Sequence, residues 1–465
     1  MSQAQIKEER RDSGFYRQLR HLFIPVVIQN LLNAAVNSAD VIMLNFVGQD
    51  AISAVSLAAQ YANILFMVFY GLGTGATMLC AQYYGKGDMR AVQVVEGIAM
   101  RFSIGISLAF ALAALCVPQW MMRIFTDDAE LIRLGCEYLR IMSVTYLCWG
   151  VIEVYLSVLR SVGRVMVSML MNLVAFVLNV FLNAVFIFGW LGAPRMGVAG
   201  VAIATALSRI IELVCCLFVS RYSRDIKLSL RNLFVKNRAL SGDFIRLSLP
   251  ALGNDIVWGV AFSVYSVILG HLGSDAVAAN SLVSVVRNLG TIACFAMASA
   301  GGILLGKVIG ENRLEDARRY ARKLIYLTLV LGACGGLVIL AISPFVVRYA
   351  ELTATAREYL RVMLYINCVY IFGPALNTTL VCGIFRSGGD SKFGLKCDVI
   401  DMWCYAIPLG FLAAFVLKLP VIAVYALLCT DEFVKMPFIF WHYRKGTWLK
   451  NITREKLFEQ ENKPA

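Results

Sequence analysis

Apolar residues gather in twelve runs, approximately 20–46, 52–80, 92–117, 131–158, 165–190, 197–220, 243–270, 275–306, 322–346, 356–384, 394–417 and 420–442. A helix needs about 20 such residues to cross the hydrocarbon core of a bilayer, so the pattern predicts an all-α membrane protein with twelve transmembrane helices. Inside the first run the apolar character is interrupted by Gln29, Asn33, Asn37 and Asp40. Their spacing of four, four and three residues puts them on one helix face. A carboxylate at membrane depth costs roughly 2.5–3.5 kcal/mol on insertion scales, so that face is expected to look into protein or a water-filled cavity.

The runs fall into two copies of one pattern. Pro25 aligns with Pro250, the stretch from Val47 to Leu57 with that from Leu272 to Leu282, and Gly85 with Gly310. Glu137-Tyr-Leu-Arg-Ile-Met142 recurs as Glu358-Tyr-Leu-Arg-Val-Met363, and Arg160-Ser-Val-Gly163 as Arg386-Ser-Gly-Gly389. Two pseudo-symmetric six-helix lobes follow: 1–220 and 243–442, joined by a basic linker at 221–242 and followed by a tail at 443–465. Because six is even, both copies enter the membrane from the same face. Such parallel repeats are a common transporter plan, with alternating access about a central site.

Composition agrees with a membrane protein: 59% of the 465 residues are hydrophobic and only 16% charged, against roughly a quarter charged in soluble domains. The net charge of +13 does not point to nucleic acid. Its Lys and Arg collect in alternate loops, which places both termini in the cytoplasm of a multi-pass cell-membrane protein. Met1 to Ser13 lacks an apolar stretch after a basic start, so the first run is expected to remain as a span. The 13 cysteines have no regular spacing and the three histidines are scattered, which indicates neither a disulfide framework nor a metal centre. Gly301 to Lys307 has phosphate-loop glycine and lysine spacing, but Val308 replaces the required Ser or Thr. No nucleophile constellation is present, so an enzyme is not expected.

The Pro25 to Gly48 span, the Ala51 to Gly85 segment, the Met196 to Thr205 run and the repeated Pro250 to Gly310 stretch together resemble multidrug and toxic compound extrusion (MATE) transporters. The resemblance covers nearly the whole chain. It implies export of small organic, often cationic or drug-like compounds in exchange for inward H+ or Na+, with no cofactor. Carried over by residue, Asp40 resembles the family's cation site on the first helix and Pro25 the proline at which that helix bends. Asn179 matches an asparagine near the carboxylate, and Asn183 falls where many members have aspartate. Cation coupling is therefore assigned to Asp40 with Asn37, Asn179 and Asn183, leaving Asp40 as the obvious titrating group of its lobe. A flippase for a lipid-linked or polysaccharide precursor, from the same superfamily, is the alternative.

The second lobe offers Asp255 and Asp401 as a further site. In a purely structural reading these pair with Arg287. Gln29, Asn33, Tyr265 and Tyr370 are candidate substrate-cavity residues, since aromatic faces and amides suit varied organic compounds. Glu153 stands isolated. Arg209 with Glu212, and Asp431 with Lys435, lie three and four apart and are expected to neutralise each other. The expected partners are a small-molecule substrate and membrane lipid, with the chain a monomer.

Overall fold

The computed structural model describes residues 3–44, 47–223, 226–228, 230–350, 352–455 and 457; the side chains at 3–13, 37–42, 49, 230 and 231 also lie outside the described residues. Among the described residues, eleven helices are long and apolar enough to cross a membrane. They are α1 (Gln3–Leu44), α2 (Gln49–Lys86), α3 (Met89–Cys116), α4 (Ala129–Ser161), α5 (Val165–Phe188) and α6 (Gly197–Tyr222), then α7 (Arg238–His271), α8 (Ser274–Gly310), α9 (Leu314–Tyr349), α10 (Ala354–Phe385) and α11 (Ser391–Val416). Gly87 and Gly189 end α2 and α5 in the left-handed region, at φ 82° and 76°, where the absence of a Cβ removes the steric cost.

The predicted twelfth run is not one helix. It comes as α12 (Val421–Leu428), α13 (Asp431–Val434) and α14 (Met436–Lys445). Pro437 lacks a backbone donor, and Asp431 and Glu432 at the start of α13 and Lys435 between α13 and α14 are all buried. Helices α10 and α11 carry wide π-helical turns at Thr379–Phe385, Val399–Ala406 and Leu412–Val416. Such turns are rare and recur at functional sites.

Close contacts divide the chain into two units, Ile24–Leu249 and a second that combines residues before Ile24 with Pro250–Arg454. Both cuts fall beside the repeated prolines, Pro25 within α1 and Pro250 within α7. Inside the second unit, fully buried Phe15 lies 4.6 Å from the ring of Tyr320. Inside the first, Phe244 stacks 5.8 Å from Phe102.

Small residues set the helix spacing, as they do in membranes where lipid is as apolar as leucine. In the 24–249 unit Ser103 Oγ donates to the Gly150 carbonyl at 2.9 Å, joining α3 to α4. In the other, a Cβ added to Gly383 of α10 would stand 2.8 Å from the Ala298 carbonyl oxygen of α8. An apolar core around Leu65, Phe69, Leu139 and Tyr146 lies in the first unit. The second has cores around Val283, Ile339 and Leu364 and around Ala261, Met402 and Val424.

Candidate functional site

On α1 the polar stripe is partly described. Gln29 is buried and donates to Ser168 Oγ of α5 at 3.4 Å, whereas Asn33 is exposed. The side chains of Asn37 and Asp40 lie outside the described residues. On α5, Asn179 and Asn183 are buried one turn apart. Asn183 donates to Asn179 Oδ1 at 3.2 Å, and Asn179 donates to Thr205 Oγ1 of α6 at 3.2 Å.

The same unit holds more carboxylates than sequence reading found. Glu153 is not isolated: Arg160, two turns later on α4, donates to its Oε1 at 2.9 Å. The long guanidinium side chain reaches back along the helix, and Arg160, counted in sequence as a loop charge, is half-buried. Glu212 is buried against Arg209 at 2.7 Å, as the spacing predicts. Glu96 on α3 was missed. It is buried, and neither carboxylate oxygen has a hydrogen-bond partner among the described residues.

The densest polar cluster belongs to the 250–454 unit. Asn254 and Asp255 sit on α7, one turn past Pro250, and Arg386 lies at the end of the π-helical turn of α10. Arg386 donates to Asn254 Oδ1 and to Asp255 Oδ1, both at 2.9 Å. Thus Asp255 pairs with Arg386, not with Arg287. The sequence placed Arg386 in a loop, yet it is only 3% exposed. Asn254 also donates to Asp398 of α11. Since Asn254 occupies the repeat position of Gln29, both halves build a related clasp, with Arg160 and Arg386 each drawn inward onto a carboxylate.

Lys435 holds the other side of the cluster. Its ammonium lies 3.0 Å from Asp398 Oδ1, 3.0 Å from Glu432 Oε1 and 3.9 Å from Asp401 Oδ2. Asp431 does not take Lys435 as its hydrogen-bonded partner, as the four-residue spacing predicted. One of its oxygens accepts from its own turn, at Glu432 N, and the other from the Tyr265 hydroxyl at 3.0 Å. Asn377 donates to Glu432 Oε2 at 2.6 Å. Asp401 is the exception in this network. It is 4% exposed, and neither of its oxygens accepts a hydrogen bond from any described residue. Lys435 at 3.9 Å is therefore its nearest compensation, a distance that is Coulombic contact rather than a hydrogen bond.

Tyr265 and Tyr370, both buried, line a cavity of about 240 Å³ with Trp258, Phe262, Arg287 and Tyr425. The buried acids are not among its lining residues. Tyr265 joins the two features, facing the cavity with its ring and donating from its hydroxyl to Asp431. Among the described residues no group of three or more His, Cys, Asp or Glu is arranged to hold a metal ion.

Comparison with known proteins places this architecture. The family model MatE matches residues 25–185 and 250–412, one block in each repeat. The "Probable multidrug resistance protein NorM" of Thermotoga maritima is 23% identical over 448 residues, covering 95% of this chain and 96% of that protein. The "Uncharacterized transporter YisQ" of Bacillus subtilis is 21% identical over 430 residues, covering 92% and 93%. Among solved structures, MATE in the bent conformation superposes with a TM-score of 0.84 at 20% identity, covering 93% of this chain and 95% of that one. An outward-facing MATE family transporter of the MOP superfamily gives 0.83 at 20% identity, covering 92% and 95%. At these identities the structural likeness speaks for the fold.

Proposed function

The chain belongs to the MatE family of transporters, and on that premise we propose that it is a secondary antiporter. In this reading small organic compounds leave the cell as protons move inward, by alternating access between the two repeat halves. The protein acts as a monomer in the cell membrane with both termini in the cytoplasm. The observation that carries the reading is the charge balance behind Tyr265. Asp255, Asp398, Asp401, Asp431 and Glu432 gather around two described cations, Arg386 and Lys435. Burying that surplus of negative charge is costly unless a bound cation offsets it.

A proton is the smallest such cation, and Asp401 is the group with room for it. Its neighbours Asp398 and Glu432 are hydrogen-bonded by Lys435, so a proton arriving at Asp401 displaces no existing hydrogen bond. Protonation also frees Lys435 from its third carboxylate, and the buried network is redistributed toward Asp398 and Glu432. Because Tyr265 touches both Asp431 and the cavity, a change in this network reaches the substrate side through one hydrogen bond. Asp255 is locked by Arg386 and serves as a structural anchor. On the amino-terminal half, Asp40 with Asn37, Asn179 and Asn183 forms the corresponding candidate, and Na+ is the alternative coupling ion there.

Efflux from proteoliposomes, with proton and sodium gradients collapsed separately, tests the reading. Loss on collapsing the proton gradient alone is expected. Undiminished efflux without a proton gradient would exclude proton coupling, and Asp401→Asn against Asp40→Asn then locates the coupling half.

A further inference from the structure

We propose that the cavity bearing Arg287 is a binding site for small aromatic anions, of the arene carboxylate type, and that it selects against organic cations. This names a substrate class for the efflux reading and rests on it. The cavity combines flat apolar walls, supplied by Trp258, Phe262 and Tyr370, with the amides of Asn280 and Asn288 and a single guanidinium. At about 240 Å³ it falls just below the roughly 300–1,000 Å³ of pockets for drug-sized ligands, so a one- or two-ring occupant fits.

The charge of that occupant follows from Arg287. Its guanidinium lies 5.2 Å above the ring of Phe262 and 5.9 Å from that of Tyr370. It makes no ion pair or side-chain hydrogen bond with any described residue. Four acids of the neighbourhood are engaged elsewhere, Asp255 by Arg386, Asp398 and Glu432 by Lys435, and Asp431 by Tyr265, while the fifth, Asp401, has Lys435 at 3.9 Å. A half-buried guanidinium without a counter-ion keeps its planar fork of donors available, and a carboxylate satisfies that fork bidentately.

An organic cation meets the opposite situation. Of the ring faces that would attract it, Arg287 already stands over those of Phe262 and Tyr370 with like charge. Asp431 and Glu432 act on Tyr370 electrostatically and would oppose an anion. They stand outside the cavity lining, however, and Glu432 shares Lys435 at 3.0 Å with Asp398, whereas Arg287 is in the wall itself. The feature belongs to one half only. The repeat register that aligns Val47 with Leu272 sets Ala62 opposite Arg287, so the guanidinium is not part of the duplicated scaffold.

The test uses three probes with one ring system and different charge: 1-naphthoate, 1-naphthylmethanol and 1-naphthylmethylamine. Calorimetric titration of the full-length protein in detergent micelles should give naphthoate at least tenfold tighter binding than the amine. In folded Arg287→Gln the preference should vanish, and Arg287→Lys should keep part of it. Equal or tighter binding of the amine to the native protein overturns the proposal, as does an intact preference in Arg287→Gln. Ser284→Trp provides an independent check, because filling the cavity should abolish naphthoate binding, and undiminished binding would place the ligand elsewhere. Proteoliposome efflux separates the two readings. Gradient-driven efflux without the anion preference removes this site and leaves the transporter reading, while the preference without efflux of any probe does the reverse.

Discussion

At the scale of single residues the structure turns on which buried charges are paired. Arg386→Gln would leave the half-buried Asp255 without its cation, and breaking such a pair costs about 3 kcal/mol. A marked fall in the unfolding temperature in micelles is the expected reading; an unchanged value would mean that Asp255 is already neutral. Asp401→Asn should behave differently. No hydrogen bond to a described residue is lost there, so stability should hold while proton-driven efflux in proteoliposomes falls more than tenfold. A stable mutant with full efflux would remove Asp401 from coupling. These outcomes were only half legible in the sequence. Asp255 and Asp401 stood out as acids in apolar runs, but their partners did not, because Arg386 reads as a loop residue beside Ser387, Gly388 and Gly389. Glu96 was hidden near the start of its helix, where a carboxylate reads as solvated.

At the scale of elements, eleven helices announce themselves through length and apolarity alone, and they stand among the described residues. The twelfth was legible as a span but not as three pieces, since hydropathy averages over Asp431, Glu432 and Lys435 without showing that they face inward. The π-helical turns of α10 and α11 have no compositional signature either, though they carry the segments that end at Arg386 and contain Asp401. Close approach between α8 and α10 has a clearer mark in Gly302 and Gly383. A Cβ at Gly302 would meet the Gly383 carbonyl oxygen at 3.2 Å, and one at Gly383 would come still closer to Ala298. Gly383→Leu should therefore force these helices apart, at about 1–3 kcal/mol for overpacking. Since Arg386 follows on the same helix, the mutant should also lose efflux. Normal stability and efflux together would show that the contact is not required.

At the scale of the whole molecule, the duplication was readable because each half repeats its proline, its glycine-bounded second helix and its arginine turn. What repetition cannot reveal is where the halves differ. By the register of the repeat only the second half carries Arg287, and under the anion proposal it sets how many charges a cycle moves. One proton entering against one cation leaving is electrically silent. One proton entering against one anion leaving moves two positive charges inward. Each charge is worth about 2.3 kcal/mol per 100 mV, so a potential of 100 mV, negative inside, would supply about 4.6 kcal/mol with no pH gradient at all. At about 1.4 kcal/mol per factor of ten, that sustains a substrate ratio on the order of a thousandfold. Proteoliposomes loaded with 1-naphthoate and given a potassium diffusion potential at equal pH should release it rapidly, whereas vesicles carrying Asp401→Asn should release it at the rate of protein-free vesicles. Naphthoate efflux that ignores the potential would mean that the exchange is electroneutral, and would rule out the pairing of an exported anion with an imported proton.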